Sequence, residues 1–281
     1  MYDFNYHKPD SIDEAIQLFL GAEDGIYLAG GHTLLPSMKQ RLAAPTDVID
    51  LAGIDDLSGI EDVGADLEIG ALTAHDEVAT SSVVQSGIPA LAELASLIGD
   101  AQVRNRGTIG GSVSNSDPAA DYPAGVLGLG AEIVTNKRTI AADDFFTAMF
   151  ETALEEGELI TKIKFPKPEA AAYIKFPNPA SRYATVGVFI ARTGSGVRVA
   201  ITGAAPSVFR STDMEEALNS EFSVEALEGI TLDAGEMNSD LHATAEYRAH
   251  LCTVMAKRAV LKLLCPLLDY WAAASFRSLT K

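Results

Sequence analysis

The sequence predicts an α+β fold of three units. Helix and strand patterns alternate over residues 1–56, mixed short elements fill residues 57–175, and two long strands precede helices over residues 176–281. A chain of 281 residues suits one elaborate domain or two to three small subdomains. Its composition, 47% hydrophobic and 21% charged, is typical of a soluble globular protein, and no apolar run approaches the roughly 20 residues of a membrane span.

The first unit opens with SIDEAIQLFLG at residues 11–21, which predicts an amphipathic helix. Ser11 and Glu14 have the spacing of a capping box, and Gly21 ends the apolar pattern. Thr33 is the predicted N-cap of a second helix. A strand, this helix and another strand are predicted at residues 25–31, 33–43 and 46–51.

The second unit mixes both patterns. Helices are predicted at TAHDEVATS, at IPALAELASLIG and from Asp121 onward, and strands at ADLEIGAL, AEIVTN and GELITKIKFP. In GELITKIKFP, the strand period places Leu159, Thr161, Ile163 and Phe165 on one face. RGTIGGSVSN, at residues 106–115, reads as a strand broken by glycines.

In the third unit, GSG joins ATVGVFIART to GVRVAITGAA, which predicts a β-hairpin. SVEALEGI and the long segment at residues 244–264 are predicted helices, with Pro266 ending the second one. The tail beyond Pro266 contains Trp271 and Phe276. We expect it either to pack on the helical end of the chain or to form an apolar patch for a partner.

The formal net charge of −18 argues against nucleic-acid binding, which needs basic patches. An anionic ligand would therefore be held by local backbone dipoles. The excess of acidic residues is compatible either with a role in solubility or with a salt-rich environment. Cys252 and Cys265 are too few for a conventional zinc or iron–sulfur site, and both are expected to be buried. The polar N-terminus has no signal-peptide pattern, which predicts a cytoplasmic protein.

Two glycine-rich segments stand out, AGGHT at residues 29–33 and TIGGS at residues 108–112. Paired glycines expose consecutive backbone N–H groups, which can seat a diphosphate beside a helix N-terminus. Neither segment matches the dinucleotide fingerprint G-x-G-x-x-G or the P-loop. Spacing alone is equally compatible with two tight structural turns.

The longer strings around these segments are more specific. LAGGHTLLPSMKQRLAAPTDVIDL and DAQVRNRGTIGGSVSNSDPAADYPA resemble the FAD-binding subunits of molybdenum hydroxylases. The resemblance is strongest to the carbon monoxide dehydrogenase medium-subunit family, is weaker to the FAD domain of xanthine dehydrogenases, and runs along nearly the whole chain. It implies an FAD-binding type-2 domain (vanillyl-alcohol-oxidase-like, PCMH) of two α/β subdomains, followed by a C-terminal subdomain with a small antiparallel sheet and helices.

The resemblance also implies which residues contact FAD. Two loops would contact the diphosphate: Ala29, Gly30, Gly31, His32 and Thr33 in the first, and Thr108, Ile109, Gly110, Gly111 and Ser112 in the second. His32 either bonds the cofactor or stays neutral in a packed corner. Ser112 stands where the family usually has Asn. It keeps a hydroxyl but loses the amide, so its backbone role carries over and its side-chain contact stays open.

Five further residues complete the implied site: Asn115, Asp117, Asp121, Lys175 and Tyr183. Asp121 would bind the ribityl chain, or cap the helix that follows it, or do both. Tyr183 would cover a flavin face or simply pack at the strand entry. Arg182 reverses the charge of an Asp that is frequent in the family, so the role of that acid is not carried over.

The resemblance implies an electron-transfer subunit. Substrate is oxidised at a molybdenum cofactor in a large subunit, two [2Fe–2S] clusters in a small subunit relay the electrons, and FAD passes them to a quinone, NAD or oxygen. The three subunits would form an (LMS)2 heterohexamer in the cytoplasm, with the inner face of the membrane as the alternative location. Two other readings stay open: a stand-alone FAD-dependent oxidase, and a structural subunit that has lost FAD.

Overall fold

The computed structural model describes residues 1–265. Within these residues the chain forms three sheets with helices on their faces and a separate two-stranded hairpin. Over this range no helix has both the length and the apolar character needed to cross a bilayer. The tail that contains Trp271 and Phe276, for which packing or a partner patch is predicted, lies outside the described residues.

A parallel three-stranded sheet organises the first unit, in the order β1-β3-β2. Its elements are β1 (Asn5–His7), α1 (Ile12–Gly21), β2 (Gly25–Leu28), α2 (Leu34–Lys39) and β3 (Asp47–Asp50). The predicted capping box forms only in half. The Ser11 hydroxyl accepts the Glu14 N–H, whereas the Glu14 carboxylate accepts the N–H of Asp10 instead of Ser11. Thr33 precedes α2 as predicted, but its side chain makes no capping bond.

An antiparallel five-stranded sheet organises the second unit, in the order β4-β5-β10-β6-β7. Its strands are β4 (Ile60–Asp62), β5 (Asp66–Gly70), β6 (Glu132–Thr135), β7 (Thr139–Ala141) and β10 (Ile160–Pro166), and β8 (Phe146–Ala148) and β9 (Glu151–Thr152) form the hairpin. Ile163 and Phe165 share a buried face as predicted. A bulge between Ile160 and Lys162 breaks the alternation, so Ile160 is buried while Thr161 is only half-buried.

Seven helices belong to this unit. They are α3 (His75–Thr80), α4 (Ser82–Gly87), α5 (Pro89–Ser96), α6 (Ala101–Arg104), α7 (Ile109–Asn115), α8 (Tyr122–Leu129) and α9 (Ala142–Phe145). The strand predicted at residues 106–115 is wrong, because most of that segment is helix α7. The Thr108 hydroxyl caps α7 by accepting the Gly111 N–H. Gly110 is glycine because a Cβ there would lie 2.5 Å from the Cβ of Ala71.

The third unit contains a four-stranded antiparallel sheet in the order β11-β12-β13-β14. Its elements are β11 (Ala170–Pro177), β12 (Ala184–Thr193), β13 (Gly196–Thr202), β14 (Phe209–Arg210), α10 (Thr212–Ser220) and α11 (Ala245–Leu264). The predicted hairpin is confirmed as β12 and β13. One face of the sheet packs on α5 and α8 and the other on α10 and α11, which explains the long apolar run of β12.

Three expectations for this unit need correction. The helix predicted at SVEALEGI is a single 3₁₀ turn, Glu225–Leu227, and α10 precedes it without having been predicted. Cys252 is buried as expected, but Cys265 is exposed at the end of α11. The boundary predicted after residue 175 falls inside β11. The division into three units stays a proposal, and we place its second boundary at Ala170, where the strand begins.

Candidate functional site

A cavity of about 870 Å³ lies where the three units meet. This is near the upper end of the roughly 300–1,000 Å³ of small-molecule sites. Its wall combines the turn after β2, the segments around α6 and α7, residues 154–160, and the loop between β11 and β12. Thirteen of the fifteen residues predicted from the sequence line it: Ala29, Gly30, Gly31, His32, Thr33, Thr108, Gly110, Gly111, Ser112, Asn115, Asp117, Asp121 and Tyr183.

The first glycine turn presents unpaired donors to this cavity. Within residues 1–265, the N–H groups from Gly30 to Thr33 have no hydrogen-bond partner. Gly31 has φ +74°, a left-handed conformation that favours glycine. Gly30 is glycine because a Cβ there would lie 2.0 Å from the carbonyl oxygen of Arg106. This turn therefore has the unsatisfied backbone dipoles that an anionic group needs.

The second glycine turn is different, because its N–H groups are already bonded inside the protein. Ile109 donates to Thr73 O, Gly110 to Ala71 O, Gly111 to the Thr108 hydroxyl and Ser112 to Thr108 O, at 2.8–3.2 Å. The expectation of bare N–H groups at both turns is thus wrong for the second one. What this turn offers to the cavity is the hydroxyl protons of Thr108 and Ser112. The Ile109 side chain is fully buried in the core instead of lining the cavity.

Asp121 is held by groups behind the cavity wall. Its carboxylate accepts the Tyr173 hydroxyl on Oδ1 and the Lys175 ammonium on Oδ2, the latter at 2.8 Å. Asp121 stands at the N-cap position of α8, as predicted, but its carboxylate makes no capping bond to the helix. Lys175 does not line the cavity, and its side chain is only 3% exposed. Burial raises the pKa of the Asp121 carboxyl, and the neighbouring Lys175 and Tyr173 oppose that rise.

Asp117 and the loop after β11 form the other side of the cavity wall. Asp117 accepts the Ala119 N–H at 2.8 Å, and burial raises the pKa of its carboxyl. Tyr183 is 47% exposed. The preceding Arg182 has φ +63° and donates from its guanidinium to Gly99 O at 3.3 Å. The contact joins the two sides of the cavity, so the reversed charge at this position has a structural partner.

Several lining residues were missed by sequence reasoning. Phe19 and Tyr27 stack with ring centroids 4.8 Å apart, and Tyr27 donates to Gly157 O. Glu158 accepts bonds from Arg138 and Thr135. Burial raises the pKa of Glu158, but these bonds outweigh that effect and bring it to about 2. His75, the first residue of α3, also lines the cavity. Long-range packing brings these residues together, so no local pattern marked them.

Comparison with known proteins agrees with this architecture. The family model described as the FAD binding domain in molybdopterin dehydrogenase matches residues 2–168, and the CO dehydrogenase flavoprotein C-terminal domain matches residues 171–263. The fold and cavity define a flavin-binding subunit of an oxidoreductase. The chain belongs to the family of FAD-binding medium subunits of molybdenum hydroxylases.

Individual relatives show the same relationship over nearly their full length. The carbon monoxide dehydrogenase medium chain of Hydrogenophaga pseudoflava is 38% identical, covering 92% of this chain and 96% of the relative. The nicotine 6-hydroxylase medium subunit of Paenarthrobacter nicotinovorans is 35% identical, with the same coverage of both chains. The carbon monoxide dehydrogenase structure from H. pseudoflava superposes with a TM-score of 0.84 at 36% identity, covering 93% of this chain and 97% of the other.

FAD is the cofactor of this subunit, as predicted, and the cavity fits it. The first turn supplies free donors for a diphosphate, and the volume is large enough for an extended ligand. The predicted family and the overall fold class are also confirmed. The contacts of individual residues with FAD stay predictions.

Proposed function

We propose that this chain transfers electrons through FAD from the [2Fe–2S] clusters of a small subunit to an external acceptor. A large subunit with the molybdenum cofactor would oxidise the substrate. The observation that carries the proposal is the cavity, with unpaired N–H groups at one turn and a half-exposed Tyr183 at another. Such a site can bind one end of the cofactor and leave the other end of the cofactor accessible.

The residues of the chain bind and orient the cofactor. Bound FAD supplies the capacity to accept and release electrons singly or in pairs. The N–H groups from Gly30 to Thr33 donate to the diphosphate, and the Thr108 hydroxyl adds one donor from the opposite turn. Asp121, fixed by Tyr173 and Lys175, has lone pairs left to accept a ribityl hydroxyl. Tyr183 covers one face of the flavin.

The partners follow from the same assignment. The chain would assemble with the large and small subunits as an (LMS)2 heterohexamer in the cytoplasm, free or at the inner face of the membrane. A quinone, NAD or oxygen would receive the electrons. Carbon monoxide dehydrogenase and nicotine 6-hydroxylase act on unrelated substrates, so the substrate depends on the large subunit.

Co-expression with the genes for the two partner subunits tests this function. Visible spectra of the full chain, alone and in the purified complex, are recorded before and after anaerobic reduction by substrate. We expect flavin bands together with iron–sulfur absorbance in the complex, and bleaching of both on reduction. A lone yellow chain that turns over a substrate would indicate a stand-alone oxidase. A colourless chain in an otherwise active complex would indicate a structural subunit.

A further inference from the structure

His75 is a buried polar residue that has no role in the binding site proposed above. Its side chain lines the cavity, although the residue is only 5% exposed. Its Nδ1 is fully enclosed and has no hydrogen-bond partner. Within the described part of the chain, Nε2 has no partner either. A buried ring with two unpaired nitrogens at a ligand cavity points to a missing partner.

The imidazole is neutral and its tautomer can be assigned. Burial, together with the smaller effects of the nearby His32 and Arg104, lowers the pKa of His75 to about 4. A neutral ring has one N–H and one lone pair. An N–H enclosed without an acceptor costs more than an unused lone pair. We therefore place the proton on Nε2 and leave the lone pair on the enclosed Nδ1.

The packing around the ring places Nε2 beside the first glycine turn. A Cβ on Gly107 would lie 2.6 Å from His75 Nε2, so this edge of the ring faces the Gly107 backbone. A Cβ on Gly30 would in turn lie 2.8 Å from the Cα of Gly107. The Tyr122 ring supports His75 from another side, with centroids 5.3 Å apart. Nε2 therefore lies against Gly107, and Gly107 lies against Gly30 of the turn whose N–H groups are free.

We propose that His75 is a further cofactor-binding residue, which donates its Nε2–H to an oxygen of the FAD diphosphate. It would add a side-chain donor to the backbone donors of the first turn and, being neutral, would need no proton uptake at neutral pH. The proposal shares with the proposed function the placement of FAD in this cavity. It does not depend on electron transfer to or from the partners.

Two variants of the full chain test the proposal after FAD has been removed. H75L removes the donor at similar volume, and H75Q keeps an N–H near the position of Nε2. Quenching of flavin fluorescence gives the FAD dissociation constant, and displacement of FAD by ADP gives the affinity for ADP. We expect H75L to weaken binding of FAD and of ADP about tenfold, and H75Q to stay within about threefold of the wild type. Riboflavin, which lacks the diphosphate, should bind both variants like the wild type.

Two spectroscopic readouts are independent of affinity. In long-range ¹H–¹⁵N spectra of the wild type, the His75 signals should show the Nε2–H tautomer and shift when FAD is added. One ³¹P resonance of bound FAD should move between wild type and H75Q. Unchanged FAD affinity in H75L, or a loss confined to riboflavin, would overturn the proposal. If H75L does not fold, absence of the tautomer shift in the wild type would overturn it.

The two proposals fail in different ways. If the complex transfers no electrons while FAD binding depends on His75, the proposed function is wrong and the His75 assignment stands. If the complex transfers electrons and H75L binds FAD like the wild type, only the His75 assignment is wrong.

Discussion

The buried pair of Asp121 and Lys175 predicts a large energetic coupling. The Lys175 Nζ lies 2.8 Å from Asp121 Oδ2, and the two side chains are 3% and 4% exposed. Removing one partner of a buried ion pair leaves an uncompensated charge, which typically costs about 3–5 kcal/mol. We expect K175M to lower the free energy of unfolding by about 3 kcal/mol. The cost stays at the low end because burial already raises the pKa of Asp121, so its carboxyl can take up a proton.

The double variant separates this effect from lost packing. In D121N the amide oxygen can still accept the Tyr173 hydroxyl, while the Lys175 ammonium keeps only its bond to Leu97 O. D121N alone is therefore also expected to destabilise the chain. D121N/K175M removes both charges and should lie within about 1–2 kcal/mol of the wild type. The coupling energy of the cycle is then about 2 kcal/mol or more.

Urea unfolding of the flavin-free chain, followed by far-UV circular dichroism at neutral pH, measures these energies. The control is K137M, because Lys137 pairs with Glu155 at 3.1 Å but both side chains are largely exposed. Such a surface pair is worth about 0–1 kcal/mol. If K175M costs no more than K137M, or if the two single variants add up, the reasoning from burial is refuted.

Three other predictions follow from single residues. The absorbance of purified G31A should show that most of the FAD is lost. G64A, also at positive φ but in an open turn, should keep its FAD. The left-handed backbone should lower the free energy of unfolding of each variant by about 1–2 kcal/mol. The pKa of His75 is lowered from 6.5 to about 4. The free energy of unfolding should therefore have its full value above pH 6.5 and fall by up to about 3 kcal/mol as the pH drops towards 4. Urea titrations at pH 7 and 4.5 should show that the free energy of unfolding depends less on pH in H75Q than in the wild type. E158Q should lower the thermal midpoint by a few degrees at pH 7 and little at pH 2, because the pKa of Glu158 in the folded chain is about 2.

Periodic segments were predictable because their environment repeats along the chain. α1, the hairpin of β12 and β13, and α11 each bury a regular apolar pattern, so the local sequence carries the signal. The signal fails where the pattern is short or glycine-rich. α7 contains two glycines and reads as a broken strand, yet it is fixed by a threonine cap and by close packing on Ala71. α10 has few apolar residues and was passed over, although Ser211 and an acidic first turn marked its start.

The two GG segments show why a site is harder to predict than a fold. Whether an N–H is free for a ligand depends on what lies behind it, and that is set by residues distant in the sequence. The carbonyl oxygens of Thr73 and Ala71 accept the N–H groups of Ile109 and Gly110, so the second turn fixes the start of α7 against the segment that follows β5. No equivalent carbonyl reaches Gly31 within the described residues, so its N–H faces the cavity unpaired. The N–H groups of the first turn are therefore free for a ligand, whereas those of the second turn are used inside the protein, and only the packed structure distinguishes the two.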